Sequence, residues 1–541
     1  MNGTETVRTA RRKPPQPPGP SKTPRVRLAD PESTPNPPPG AGPSAAEPSG
    51  KLLGVNLNLL LALTLALCVI RLWLMPLPSS FWVDEMGTAF VVRHGADDPS
   101  LRVAPQVPAS IYYVLPRLAD RCFGLSETAY RVPSTLALAA ALFFIAKIAA
   151  RLIHPAAGWF AAFTCVALRE FDYQAADARP YALGTCVSAA AAWFLIRWLD
   201  DGRWRDAFLF ALFASLVWRV HLVFWPFYAV FVCYALVRLA RADTKVGWPR
   251  AGAVFAILGI SLAPVLLEAL ALYRHAGAHV VVPAPTGADL TNGLKLGFLV
   301  AFCAAAAALA RWRRWPRMDG VASRSSLSLI LGWWAFHPLL LFAFSRLTGN
   351  SVFVPRYLYI ALPGVAMTAV VVAALFVPPA HWKMLAVALG VGILLFMGRW
   401  NHAWPLHHSS DWRTAASRLN ALNPGPGMPV ICPSPFIEAR PPVWRPDYPP
   451  AGFLYAHLPV YPIQGKAYAF PFENDEASER FALALTRETL SRSARFAIYG
   501  GDHAALVWRD WFKVRPELDG WRNRRLGPFG DVDVIVFEKG E

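Results

Sequence analysis

Two adjacent carboxylates, Asp84 and Glu85, stand in the stretch SSFWVDEMGTAFVVRHG at 79–95, directly after the first long apolar run of the chain. Phe81, Trp82, Val83, Met86, Ala89 and Phe90 surround them with apolar neighbours. A general base must give up its proton and yet want it back, and a partly desolvated carboxylate suits that work. A carboxylate in open water at a loop does nothing of the kind, and the neighbours of Asp84 fit either description. A second group follows in REFDYQAADARPYALG, residues 169–184, where Asp172, Asp177 and Arg179 crowd the mouth of an apolar run that starts at Pro180. Charges at membrane depth need a partner or an aqueous cavity, so an Asp177–Arg179 ion pair and a shared site both answer. The third group is FVPRYLYIALPG, residues 353–364. The planar fork of Arg356 suits a phosphate and the amphipathic ring of Tyr357 suits the bilayer interface, although an Arg at a helix end also snorkels. His221, in WRVH, fits a capped turn better than a donor contact. Glu268 lies in the apolar run 251–273, where pairing with Arg274 competes with a functional role.

These residues need elements to hold them, and the elements are membrane helices. The 541 residues are 55% hydrophobic and 16% charged, well short of the ~25% charge of soluble domains. Apolar segments recur at 52–74, 133–150, 156–168, 180–196, 206–218, 222–237, 251–273, 293–310, 327–345, 357–378 and 383–398, which predicts about eleven spans in a polytopic α-helical membrane protein. The net charge of +17 sits in short loops and therefore reads as a topology signal rather than a nucleic-acid surface. The loops at 147–155, 197–206, 238–250, 311–324 and 379–383 hold fifteen Lys and Arg, against six at 169–179, 219–221, 274–292 and 346–356. The first set is expected to face the cytoplasm, with the Asp84–Glu85 loop and residues 401–541 outside.

Residues 1–50 contain thirteen prolines and a basic start, the composition of a disordered tail. Residues 51–400 form the membrane module, with a long first loop at 76–132. In that loop SIYYVLPRLADRCFG has helical spacing suited to a membrane surface, and Ser126 suits a helix cap. Residues 401–541 alternate Pro-rich loops with strand-like MPVICPS, RFAIYG and VDVIVFEK and a helical ASERFALALTRETLSRS, the pattern of a small α/β domain. Of seven cysteines, Cys122 and Cys432 lie in aqueous segments, which leaves a bridge between them open. No CxxC or His/Cys cluster argues for a structural metal, and neither a P-loop nor a dinucleotide fingerprint is present.

The ordered set WVDEMGTAFVVR, GLSETAYRVPS, ADARPYAL, RYLYIALPG and DWRTAASRLN resembles the GT-C membrane glycosyltransferases. The resemblance is to their bacterial branch, akin to protein O-mannosyltransferases and lipid A aminoarabinose transferases. It implies a GT-C helical bundle with a C-terminal extracytoplasmic α/β domain in a bacterial inner membrane. It further implies a polyprenyl-phosphate-sugar donor, a surround of membrane lipids, an extracytoplasmic acceptor and no cofactor or metal. By the same resemblance Asp84 is the base that activates the acceptor, and Glu85 orients the acceptor or a neighbouring helix. Arg179 and Arg356, with Tyr181 and Tyr357 beside them, hold the donor phosphate, while Asp172, Asp177, His221 and Glu268 support the site. Two other classes compete: a transporter or flippase, which calls for inverted repeats and charges at the bilayer midplane, and a surface-polysaccharide polymerase or ligase.

Overall fold

The computed structural model describes residues 51–52, 55–104, 107, 110–274, 282–319, 322–422 and 425–540, so the proline-rich tail lies outside the described residues. A two-residue hairpin, β1 (Lys51–Leu52) and β2 (Val55–Asn56), leads into α1 (Leu57–Val69), which a π turn extends to Leu74. The first loop builds α2 (Val83–His94) and the amphipathic α3 (Val114–Phe123). α4 (Glu127–Leu152) starts at its expected cap, where Ser126 Oγ accepts the Ala129 N–H at 3.2 Å. Then come α5 (Ala157–Val166), the short α6 (Arg169–Tyr173), α7 (Tyr181–Asp201), α8 (Trp204–Val220), α9 (Tyr228–Ala240) and α10 (Trp248–Tyr273). α11 (Gly287–Gly293), α12 (Leu296–Arg313), α13 (Arg324–Thr348), α14 (Leu362–Ala374) and α15 (Trp382–Met397) complete the bundle. 3₁₀ turns at Leu222–Phe227, Pro355–Ala361 and Pro379–His381 lengthen α9, α14 and α15.

All eleven expected segments are helical, but nine helices among the described residues are long and apolar enough to cross a bilayer. Two of the eleven expected segments are shorter than these nine. α5 has 10 residues, which makes it about 15 Å long and half of a hydrocarbon core. The run that contains it breaks at Leu168, which turns to extended backbone and starts α6. α8 has 17 residues and includes Arg205, Asp206 and Arg219. Small residues bring the remaining helices close. At Gly364 on α14 an added Cβ would fall 2.2 Å from the Trp334 nitrogen of α13, so only glycine fits that crossing.

After the bundle come α16 (Trp412–Asn420), β3 (Pro429–Pro433), α17 (His457–Val460), β4 (Lys466–Phe470), α18 (Glu476–Glu488), β5 (Arg495–Gly501), α19 (Asp502–Lys513), β6 (Trp521–Arg525) and β7 (Val532–Lys539). The sheet order is β4-β3-β5-β7-β6, with β3 parallel to β4 and β5, and β7 antiparallel to β5 and β6. This is the small α/β unit the alternating pattern predicts. Cys122 is exposed on α3 and Cys432 is buried in β3, both as free thiols, so the bridge left open by the sequence is not formed.

The first loop and this sheet share one apolar core, in which Phe81, Phe90 and Tyr130 pack with Trp412, Phe453 and Tyr499. Polar ties fix the same junction. Tyr461 donates its hydroxyl to Glu127 at 2.7 Å and accepts the Phe81 N–H at 2.8 Å. Arg413 pairs with Glu127 and donates to the Pro78 carbonyl at 2.9 Å. The loop that carries Asp84 is therefore clamped between the membrane helices and the C-terminal sheet.

Candidate active site

The first turn of α2 decides which of the two carboxylates is free to react. Glu85 Oε2 accepts the Trp82 N–H at 3.2 Å, closing the start of the helix. The rest of the Glu85 carboxylate is taken by the fork of Arg131 on α4, Nε to Oε1 at 2.7 Å and Nη2 to Oε2 at 2.5 Å, and by the Ala178 N–H at 2.7 Å. Both side chains of this pair are fully buried. Arg131 spends its remaining donors on the carbonyls of Leu77, Ser79 and Ser80 at 2.9, 2.6 and 3.1 Å. Glu85 thus fastens three chain segments to one another. Asp84, one residue earlier and so about 100° around the helix, points elsewhere.

Asp84 meets the other two predicted basic groups. Its Oδ2 lies 3.3 Å from Arg356 Nε and 3.9 Å from Arg179 Nη2. Arg179 also donates through Nη1 to the Asp84 carbonyl at 3.1 Å and to Thr88 Oγ1 at 3.3 Å, one turn along α2. The side chains of Asp84, Arg179 and Arg356 are 18%, 15% and 37% exposed, so the trio is half sheltered and still reachable. The Arg356 guanidinium lies 5.5 Å over the Tyr357 ring. Tyr357 is held from behind by His337 of α13, whose Nε2 pairs with the Tyr357 carbonyl at 2.9 Å.

Tyr181 and His221 complete the wall. The Tyr181 ring faces His221 at 5.8 Å and Tyr357 at 6.4 Å, and its buried hydroxyl has no hydrogen-bond partner among the described residues. His221 does cap its turn, with Nδ1 accepting the Val223 N–H at 3.4 Å, and it also lies 5.1 Å from the Tyr357 ring. Burial, with Arg179 and Arg356 nearby, pulls His221 down to about 3, which leaves a neutral imidazole beside the arginines.

Asp177 belongs to a neighbouring group. No Asp177–Arg179 ion pair forms; Arg179 turns to Asp84, while Asp177 Oδ1 accepts Trp82 Nε1 at 3.1 Å and lies 3.7 Å from His407 Nε2. Burial pushes the Asp177 carboxyl up to about 7 and pulls His407 down to about 3. Asp172 stands apart, buried, with Oδ1 accepting Trp73 Nε1 at 2.8 Å, and burial raises its carboxyl well above the ordinary range. Glu268 is exposed on α10 and, among the described residues, forms no ion pair, with Arg274 or with the Asp84 group. Glu85, Asp177 and His407 place possible ligand atoms within 4.8 Å of one another. A divalent ion fits them poorly, because Glu85 is already saturated and the Arg131 guanidinium is its neighbour.

Sequence reasoning assigned no role to Arg131, His337, His407 or Thr88. Arg131 had a signal, a charged residue inside a spanning helix, and so did His337 in an apolar run. His407 and Thr88 had none.

A family model described as Dolichyl-phosphate-mannose-protein mannosyltransferase matches residues 108–267. ArnT from Cupriavidus metallidurans in the apo state is similar at 11% identity with a TM-score of 0.53, over 88% of this chain and 97% of that one. The same ArnT bound to undecaprenyl phosphate matches at 12% identity and a TM-score of 0.49 over the same shares. Arabinosyltransferase EmbB from Mycobacterium smegmatis matches at 16% identity and a TM-score of 0.33, over 56% of this chain and 31% of that one. The chain has the fold of that ArnT. No curated protein sequence matches it.

Within that fold, residues 108–267 take in Arg131, Asp177, Arg179, Tyr181 and His221. They leave out the first turn of α2 and the 3₁₀ turn at Pro355–Ala361, so the place of Asp84 and Arg356 rests on geometry.

Proposed function

We propose that this chain is an inverting membrane glycosyltransferase that moves a sugar from a polyprenyl-phosphate donor to an acceptor hydroxyl on the outer side of a bacterial inner membrane. The observation that carries the reading is the meeting of Asp84, Arg179 and Arg356 from three distant segments. The description of the matched family supports a donor of the polyprenyl-phosphate class. In the step, Asp84 takes the proton of the acceptor hydroxyl as its oxygen attacks the anomeric carbon. The bond from that carbon to the phosphate oxygen breaks, and the electron pair leaves with the phosphate. Arg356 and Arg179 neutralise the charge that grows there, the general device of electrostatic stabilisation. The forks of these two residues can grip the phosphate from two sides, while the wall of Tyr181, His221 and Tyr357 shields the sugar–phosphate linkage from water. Glu85, spoken for by Arg131, acts through position alone. The Lys and Arg distribution supports an outer-face site, since it leaves the Asp84 loop on the side poor in cations.

The test is transfer in proteoliposomes supplied with polyprenyl-phosphate sugars and candidate lipid, polysaccharide and protein acceptors. Formation of a glycosylated acceptor with release of polyprenyl phosphate supports the reading. Movement of an intact lipid-linked sugar between leaflets, without transfer, would overturn it in favour of a flippase.

A further inference from the structure

A second feature lies at the far end of α2. A cleft of about 740 Å³ opens between the last turn of α2 and α3, lined by Arg93, His94, Asp97, Arg117, Asp120 and Arg121. Its charges are not balanced internally. Arg93 lies 3.6 Å from Asp120, and Asp120 also accepts the Tyr130 hydroxyl at 2.9 Å. Arg117 and Arg121 have no ion pair among the described residues. They are four residues apart on α3 and so stack on one strip of the helix.

The strip next to them is apolar and uncovered. Ile111, Val114 and Leu118 are 39%, 58% and 59% exposed, and Phe123, at the end of the helix, is 78% exposed. Taking 100° per residue, Val114 and Leu118 lie within about 100° of Arg117 and Arg121. Water is a poor solvent for such a strip. The chain offers a different one, because α3 ends at Phe123 and the spanning α4 begins at Glu127, which sets α3 at the bilayer boundary. A helix with this arrangement lies in the interface with its apolar strip toward the acyl chains and its cations at headgroup level.

We infer that the cleft between α2 and α3 is a binding site for the phosphate of an anionic phospholipid of the surrounding bilayer. Arg117 and Arg121 meet the phosphate, and the strip of Ile111, Val114 and Leu118 receives the start of the acyl chains. A soluble anion would use the arginines alone; the adjoining apolar strip selects a lipid. The cleft has room for a headgroup.

The experiment places the full chain in phosphatidylcholine nanodiscs doped with phosphatidylglycerol and counts retained lipids by native mass spectrometry. A photoactivatable phosphatidylglycerol maps contacts. The parent should retain phosphatidylglycerol over phosphatidylcholine and cross-link within 111–123. R121Q should lower that retention about five-fold and R117Q/R121Q by about that factor again, from the usual worth of one cation near an anionic surface. R203Q/R205Q, which removes two exposed charges elsewhere, should retain it as the parent does. Equal retention of the two lipids by the parent, or equal losses in R117Q/R121Q and R203Q/R205Q, would overturn the site. Phosphate in solution that protects the cleft as well as the lipid does would show a free-anion site instead and would overturn it too.

Discussion

The carboxylate of Asp84 lies 3.3 Å from Nε of Arg356, across 272 positions of sequence. Each residue comes from a segment whose own neighbours allowed an idle role: a solvated loop acid for one, a snorkelling cation for the other. Their contact makes each the other's ion-pair partner, so neither is a lone charge at its own segment. The same contact explains why Arg179 leaves Asp177, two residues away, for a carboxylate 95 positions distant.

Arg356 is expected to be sensitive to shape as well as charge. Arg356→Lys keeps the cation and loses the planar fork that suits a phosphate. The apparent affinity for a polyprenyl-phosphate donor should fall by roughly tenfold, about the worth of one charge-assisted hydrogen bond, and further in Arg356→Ala. Unfolding should be little changed, because the side chain is more than one-third exposed. Donor saturation curves that superimpose for the parent and both variants would leave Arg356 as an anchor.

Much of this was legible in the sequence, for reasons that also mark where legibility stops. Hydropathy reports solvent, so every expected apolar segment is helical, but it does not report where a helix breaks, so the run at 156–168 yields the 10-residue α5. Ser126 and the helix it caps follow from local chemistry, as do the buried strands β3, β5 and β7 with their apolar runs. The edge strands β4 and β6 escaped notice; β6 reads WRNRR and is largely exposed, without the apolar alternation that signals a strand. The three charged groups were identifiable one by one. Which acid meets which base was not, because a pairing such as Glu85 with Arg131 depends on how α2 and α4 are set against each other, and nothing local records it.

Glu85 should behave as a structural residue. Glu85→Gln keeps the shape and leaves the Arg131 guanidinium buried without its counter-charge, which costs about 3–5 kcal/mol. Thermal unfolding of the purified protein in detergent should shift well below the parent, and activity should fall with it. Asp84→Asn, at a half-sheltered position, should unfold near the parent. A Glu85→Gln protein with the parent's unfolding midpoint and selectively lost turnover would instead place Glu85 among the reacting groups.

Asp177 and His407 pull the pH dependence of stability in opposite directions. Between 3.8 and about 7 the folded chain keeps a proton on Asp177 that the unfolded chain releases, so this group makes the fold less stable as pH rises through that window. Between about 3 and 6.5 the unfolded chain binds a proton on His407 that the folded chain excludes, so stability from this group is lost as pH falls. Asp177→Asn should therefore gain on the parent as pH rises from 4 toward 7, while His407→Gln should gain on it as pH falls from 6.5 toward 4. Unfolding midpoints measured across that range decide the matter. Variant and parent curves that run parallel would mean that neither group titrates as its burial demands.

Asp84 carries the chemistry if the proposed reaction is right, and the geometry makes the test sharp. Asp84→Asn preserves size and hydrogen-bonding reach but cannot accept a proton, so turnover should fall by roughly a hundredfold or more, the usual range for a general base. The two guanidinium groups also lose the negative charge between them, so donor affinity should stay equal or tighten, since the donor phosphate then meets Arg179 and Arg356 without a competing carboxylate. A loss in kcat with KM unchanged or lower is the signature of a group that acts on the transition state. Asp84→Glu should recover part of the rate only if proton transfer is the task, because its longer arm moves the carboxylate and keeps the base. Transfer by Asp84→Asn at the parent rate would return Asp84 to the role of an ion-pair partner for the two arginines and overturn the proposed mechanism.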